Sequence, residues 1–295
     1  MADSDSPAQE HEPFMHDLEP QSRRDWQVVA AATVGRPVCF ADELADGGAG
    51  PELIVIPPGS FEMGSPQTEP GRGPEEGPVR YLRLRRAYAL GRCAVTADDF
   101  ARYARASGWR PRAELIRTQG RQPMINLRPR EVTAYLAWLS TETGEYYRLP
   151  TEGEWEYAAR AGSRTPFAFG EQVDCRQVCF NPAFPYPPGT RRWHVAGCAS
   201  AARLRETGSL PANLWGLHEM HGNIWELTAS PWSEDHTGAE PDGHAHPPPG
   251  SSTRWVTRGG SWFDPAVLAR SAARRPRLAD ELDTNLGFRV LRELA

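Results

Sequence analysis

What this 295-residue chain lacks narrows it first. It has no apolar run long enough to span a bilayer, so no membrane span is expected. It has no basic excess: 33 Lys+Arg face 38 Asp+Glu, a formal net charge of -5, and no Lys/Arg run stands out. Nucleic acid is therefore not an expected partner. The opening stretch MADSDSPAQEHEPFMHDLEP holds neither the basic nor the apolar part of a secretory leader, which makes the cytoplasm the expected location. Cysteine is scarce: Cys39, Cys93, Cys175, Cys179 and Cys198, with none after Cys198. An odd count in a chain expected in the cytoplasm argues against a disulfide framework. Cys175, Cys179, His194 and Cys198 have a C-x3-C…H-x3-C spacing that is loose for a metal site, so they read as structural cysteines.

Turn-formers and tryptophan, by contrast, are plentiful: 27 Gly, 28 Pro and 10 Trp. They predict a loop-rich fold of short strands whose core is built largely from aromatic side chains. Residues 1–25 read as a disordered tail, 26–50 as a lead-in with a short helix and a Gly-rich turn, and 51–295 as the domain. Short strands are expected at 53–56, 60–65, 80–86, 87–91 and 255–257, and at 286–291 as a single last strand. Helices are expected after Thr96, from Pro129 to Gly144, and after Thr151, whose TEGE is a capping box. Residues 162–211 show weak periodicity and read as long loops, and 233–252 as a low-complexity surface loop. His236, His244 and His246 lie in that surface loop and are not read as a metal site.

Two stretches carry chemistry. In 258–289, Gly259-Gly260 permits positive φ or close backbone approach. Ser261 and Trp262 follow, and Arg270, Arg274, Arg275 and Arg277 precede Asp280, Glu281 and Asp283. Those charges read either as a fixed guanidinium–carboxylate network or as a solvated loop. In 213–226, Glu219 and Glu226 flank a Gly222-Asn223 turn, where carboxylates and turn carbonyls could converge on a hard cation such as Ca²⁺; a solvated turn is the alternative.

LIVIPPGSFEMGS (53–65), YRLPTEGEWEYAARAG (147–162), PANLWGLHEMHGNIWEL (211–227), RGGSW (258–262) and NLGFRV (285–290) follow one another in an order that resembles the formylglycine-generating enzyme, or sulfatase-modifying factor, family. That family includes copper oxidases, domains of sulfoxide synthases and a siderophore-maturation branch. The resemblance covers about residues 50–295. It implies an α+β domain, a variant of the C-type-lectin fold, and a structural calcium held by the Glu219 and Glu226 side chains and the Gly222 and Ile224 carbonyls. A second calcium at Asn181 is left open. The oxidases carry two copper-binding cysteines just after the GGS turn; here that segment is SWFDPAVLAR, so no copper is expected. The sulfoxide synthases' His-x3-His-x-Glu pattern is also missing, and Asn126–Arg130 departs from the family's Val-Ser-Trp.

The resulting expectation is a monomeric binding member of the family. It would hold a peptide, protein or small molecule through Ser261, Trp262, Asp264, Arg270 and Arg274. The alternatives are a non-copper, siderophore-branch-like enzyme using Asp264, Arg274 and a bound metal and, third, a formylglycine oxidase. Arg258, Arg274 and Arg289 read mainly as loop-tying ion pairs, and Trp225 and Trp255 as core.

Overall fold

The computed structural model describes residues 13–112, 117–189, 198, 203–237 and 254–294. Its helices are α1 (Pro20–Thr33), α2 (Ala97–Ser107), α3 (Pro129–Thr143) and α4 (Glu152–Arg160). The expected start signals operate. Thr96 and Thr151 accept from the N–H of Asp99 and Glu154, whose carboxylates return the bond, and Pro129 opens α3. Gly108 and Gly144 end α2 and α3 in the left-handed region, which glycine enters without a Cβ clash.

The strands are β1 (Cys39–Phe40), β2 (Leu53–Ile56), β3 (Gly59–Met63), β4 (Arg80–Leu84), β5 (Tyr88–Gly91), β6 (Tyr147–Arg148), β7 (Trp225–Pro231), β8 (Arg254–Arg258), β9 (Arg274–Leu278), β10 (Leu286–Phe288) and β11 (Leu291–Glu293). They form an antiparallel sheet ordered β1-β2-β5-β11-β6, a second sheet ordered β10-β7-β8-β9, and the β3-β4 hairpin. β2 shows why the first sheet lies in the middle. Successive side chains of a strand point to opposite faces. Leu53 and Val55 enter the core with Phe100, Tyr135 and Leu139 of α2 and α3, while Ile54 and Ile56 enter a second core with Trp155 and Trp215. Both faces are covered, so this strand reads as a continuous apolar run. The second sheet sends Trp225, Leu227, Leu286 and Phe288 into the first core.

Several expectations change. The segment read as a disordered tail is ordered from residue 13 onward: Phe14 bridges Ser60, Met15 is fully buried, and α1 starts at Pro20. Trp26 donates to the Pro58 carbonyl and Gln27 to those of Val55 and Trp215, contacts that only the folded domain supplies. Residues 1–12 lie outside the described residues. The single last strand is two strands in two sheets, because the chain crosses between sheets at Arg289-Val290. β9 pairs with β8 in a stretch read as a charged loop.

Cys175 and Cys198, read as structural cysteines in a chain not expected to carry a disulfide framework, form one disulfide with Cα atoms 5.6 Å apart. An odd count does not forbid one bond, and spacing cannot reveal which loops meet. Cys179 is outside the disulfide and donates to the Arg203 carbonyl, and among the described residues these cysteines form no metal cluster; His194 lies outside the described residues. Alkylation in denaturant without reductant should label three thiols, Cys39, Cys93 and Cys179, and two more after reduction. With the cysteines 23 positions apart in sequence, reduction should cost about 3 kcal/mol of stability, read from denaturant midpoints. Five labels before reduction would refute the bond.

Candidate functional site

The chain contains no lysine: all 33 of its basic side chains are arginine. The reason appears around α4, whose nine residues are all buried although they include three glutamates. A buried carboxylate must be paired, and the planar guanidinium fork pairs it through two bonds. Glu152 takes Arg274 through both oxygens (2.7 and 2.8 Å) and lies 2.7 Å from Arg258. Glu154 takes Arg148 twice at 2.8 Å. Glu156 takes Arg258 at 2.8 Å and Arg160 at 2.9 Å. Burial alone would raise these carboxyl pKa values, but the arginines outweigh it, and Glu156 is brought down to about 2.

Of the arginines in 258–289, Arg258, Arg270, Arg274 and Arg289 therefore reach acids far along the chain. Arg270 is buried between Glu69 and Glu76, and Arg274 also lies over the Trp232 ring at 4.6 Å. Among the acids expected nearby, Glu281 and Asp283 pair with Arg277. Arg270 and Arg274 are thus structural, which removes them from the candidate ligand contacts. His236, expected on a surface loop, is buried beside this network, and burial holds its pKa below the ordinary value. His244 and His246 lie outside the described residues.

Ser261, Trp262 and Asp264 do come together. Gly259 and Gly260 have φ of 100° and 70°. A Cβ on Gly260 would stand 2.6 Å from the Leu268 carbonyl oxygen, so only glycine lets the turn close. The loop is stitched to its neighbours by three backbone bonds: Gly222 N–H to Gly259, Trp262 N–H to Asn223 and Asn181 N–H to Asp264. Within it, the fully buried Ser261 hydroxyl donates to Asp264 Oδ2, which also accepts the Trp225 indole N–H at 2.8 Å. Asn285 Nδ2 reaches Ser261 Oγ at 3.0 Å; turned over, the same amide would instead donate to Asp283. Asp264 Oδ1 faces the half-exposed Arg275 at 3.9 Å. Phe263 is 63% exposed, and Trp262 meets it edge-on with centroids 5.6 Å apart. Trp225 and Asn285 are members of this site that the sequence did not single out. Trp225 is core, as expected, yet its one polar atom serves Asp264.

The calcium expectation meets a competitor. Arg289 donates to both oxygens of Glu226 (3.0 and 2.8 Å), and the Trp155 indole takes one of them at 2.7 Å. Glu219 uses its two oxygens on the N–H groups of Gly208 and Leu210. A divalent cation would have to share Glu226 with a buried guanidinium, so these side chains, as placed, fit calcium poorly. At the second position, Asn181 Oδ1 accepts the Ala183 N–H, closing a local turn.

The sheets, the buried α4 and the glycine turn define a mixed α+β domain of the formylglycine-generating-enzyme type. A family described as the sulfatase-modifying factor enzyme 1-like domain matches residues 42–294, and the chain belongs to that family. It is 31% identical to the solved structure of PvdO from Pseudomonas aeruginosa, with a TM-score of 0.74 over 87% of this chain and 98% of that one. It is 26% identical to the formylglycine-generating enzyme of Mycobacterium tuberculosis, over 81% of this chain and 97% of that protein. It is 25% identical to the inactive C-alpha-formylglycine-generating enzyme 2 of Bos taurus, over 80% and 86%.

The network predicts a pH response. Because the folded Glu156 pKa lies below its ordinary 4.5, its contribution is complete above 4.5 and is lost as pH falls toward about 2. Glu156→Gln should cost about 3–5 kcal/mol at neutral pH, by leaving buried arginines unbalanced. It should also flatten the acid limb of denaturant midpoint against pH. Parallel acid limbs in the two proteins would sink this account.

Proposed function

We propose that this chain is a family member that works without copper thiolates, and that the Ser261–Asp264 loop holds a small-molecule or peptide ligand. The observation that carries this reading is Asp264. In the loop where the family's oxidases bear cysteines, this chain buries a carboxylate with one oxygen fixed by Ser261 and Trp225 and the other toward Arg275. A hard oxygen donor does not select Cu(I), which takes soft thiolates. An acceptor beside a guanidinium, rimmed by Trp262 and Phe263, suits a ligand with both polar and aromatic or apolar parts. The bovine relative, whose name calls it inactive, supports the idea that the fold is kept without formylglycine formation.

A second reading is a non-copper enzyme. Its support is the Ser261 hydroxyl held against the Asp264 carboxylate, an arrangement that can move a proton. In either case, a Cys-x-Pro-x-Arg peptide incubated with protein and Cu(I) should remain unconverted by mass spectrometry. Conversion to formylglycine would overturn the proposal. Elemental analysis of the protein as isolated, before any copper is added, should find no stoichiometric copper. If it finds one calcium per chain, Arg289 must leave Glu226 when the ion binds.

A further inference from the structure

We propose a second ligand site, independent of the Ser261 loop: a cleft on α2 that takes a small carboxylic acid with an apolar, ring-sized body. The cleft has a volume of about 210 Å³, small for a ligand site and too small for a polymer segment. Helical periodicity makes its wall. Phe100 and Tyr103 turn into the core, while Ala97, Ala101 and Ala104, at i, i+4 and i+7, line the cleft. Larger residues at these alanines would fill it. Trp109 and Met124 form other parts of the lining. Trp109 packs edge-on against Phe100 with centroids 5.0 Å apart, and its indole N–H is used by Glu131 at 3.1 Å, so what remains for a ligand is apolar ring.

The polarity of the lining sets the ligand's charge. Arg112 and Arg117 belong to it, and none of its described lining residues is an acid. Arg112 is paired with Glu131 at 3.5 Å, a carboxylate that also accepts from Trp109 and from the Arg128 N–H at 2.8 Å. Arg117, exposed, has no ion-pair partner among the described residues. Its guanidinium beside an apolar pocket suits a carboxylate, which accepts from the fork geometry, attached to an apolar body.

The cleft also abuts the candidate loop's supports. Ile125 packs with Ala94 and Ile224, and the Asn126 N–H donates to the Asp283 carbonyl at 3.3 Å. A ligand in the cleft would press on the segments that carry Trp225 and Asn285.

Ligand-observed NMR with the whole chain tests this, using phenylacetate, its neutral amide phenylacetamide, and acetate. Phenylacetate should bind in the millimolar range or tighter, with the amide and acetate at least about tenfold weaker, because each lacks half of what the cleft recognises. Arg117→Ala should weaken phenylacetate by about fivefold or more, and added salt should weaken it further. Ala101→Phe should abolish binding by filling the cleft; Ala104→Met, nearer the surface, repeats the test if Ala101→Phe does not fold, with circular dichroism as the check. Equal binding of acid and amide, binding untouched by the filling variants, or no phenylacetate binding at millimolar concentration would each overturn the proposal. Loss of binding in Asp264→Ala with the filling variants unaffected would move the ligand to the Ser261 loop instead.

Discussion

A helix with three glutamates is buried on all sides at the centre of this protein, and the structure around it is arranged to neutralise that charge. Leaving one such carboxylate unpaired would cost several kcal/mol, a large part of the net stability of an ordinary domain. α4 therefore binds the fold together through its partners. Arg148 comes from β6, Arg258 from the end of β8 and Arg274 from the start of β9. A chain that contains only arginine as its basic residue suits this arrangement, because each guanidinium can join two carboxylates or a carboxylate and several carbonyls. Arg274 bonds Glu152 and the carbonyls of Glu75 and Ser233 together.

The same chemistry recurs away from α4. Arg270 gathers Glu69 and Glu76 of the loop after β3, and Arg289 gathers Glu226 with the carbonyls of Gly91, Arg92 and His218. Ion pairs thus do in the loops what hydrogen-bond ladders do in a sheet-rich protein. Where the loops are longest, the Cys175–Cys198 bond adds a covalent tie.

The candidate site depends on this rigidity. Ser261 and Asp264 are held by backbone bonds to segments that Arg258 and Arg289 anchor on either side. The site's acceptor is the Asp264 carboxylate, fixed by Ser261 and Trp225. The α2 cleft is built differently, from missing side-chain volume and a cationic mouth, so the two places call for different ligands.

Local chemistry was readable in the sequence. The capping boxes at Thr96 and Thr151, the stop glycines 108 and 144, the alternation of Arg80–Leu84 and the GGS turn each depend on residues within a few positions, and the ordered motifs identify the family. Long-range pairing was not readable. Nothing near Arg270 announces Glu76, 194 residues away, nor does Cys175 announce Cys198 over Cys179. Trp225 and Asn285 look like core and turn until the fold sets them around Ser261. Residues 286–291 look like one strand until the sheets divide them. Helix caps and turns draw their free energy from neighbours in the chain, so the sequence determines them. Which arginine neutralises which buried carboxylate is decided when distant segments compete for the same low-dielectric interior, and only the tertiary structure settles that competition.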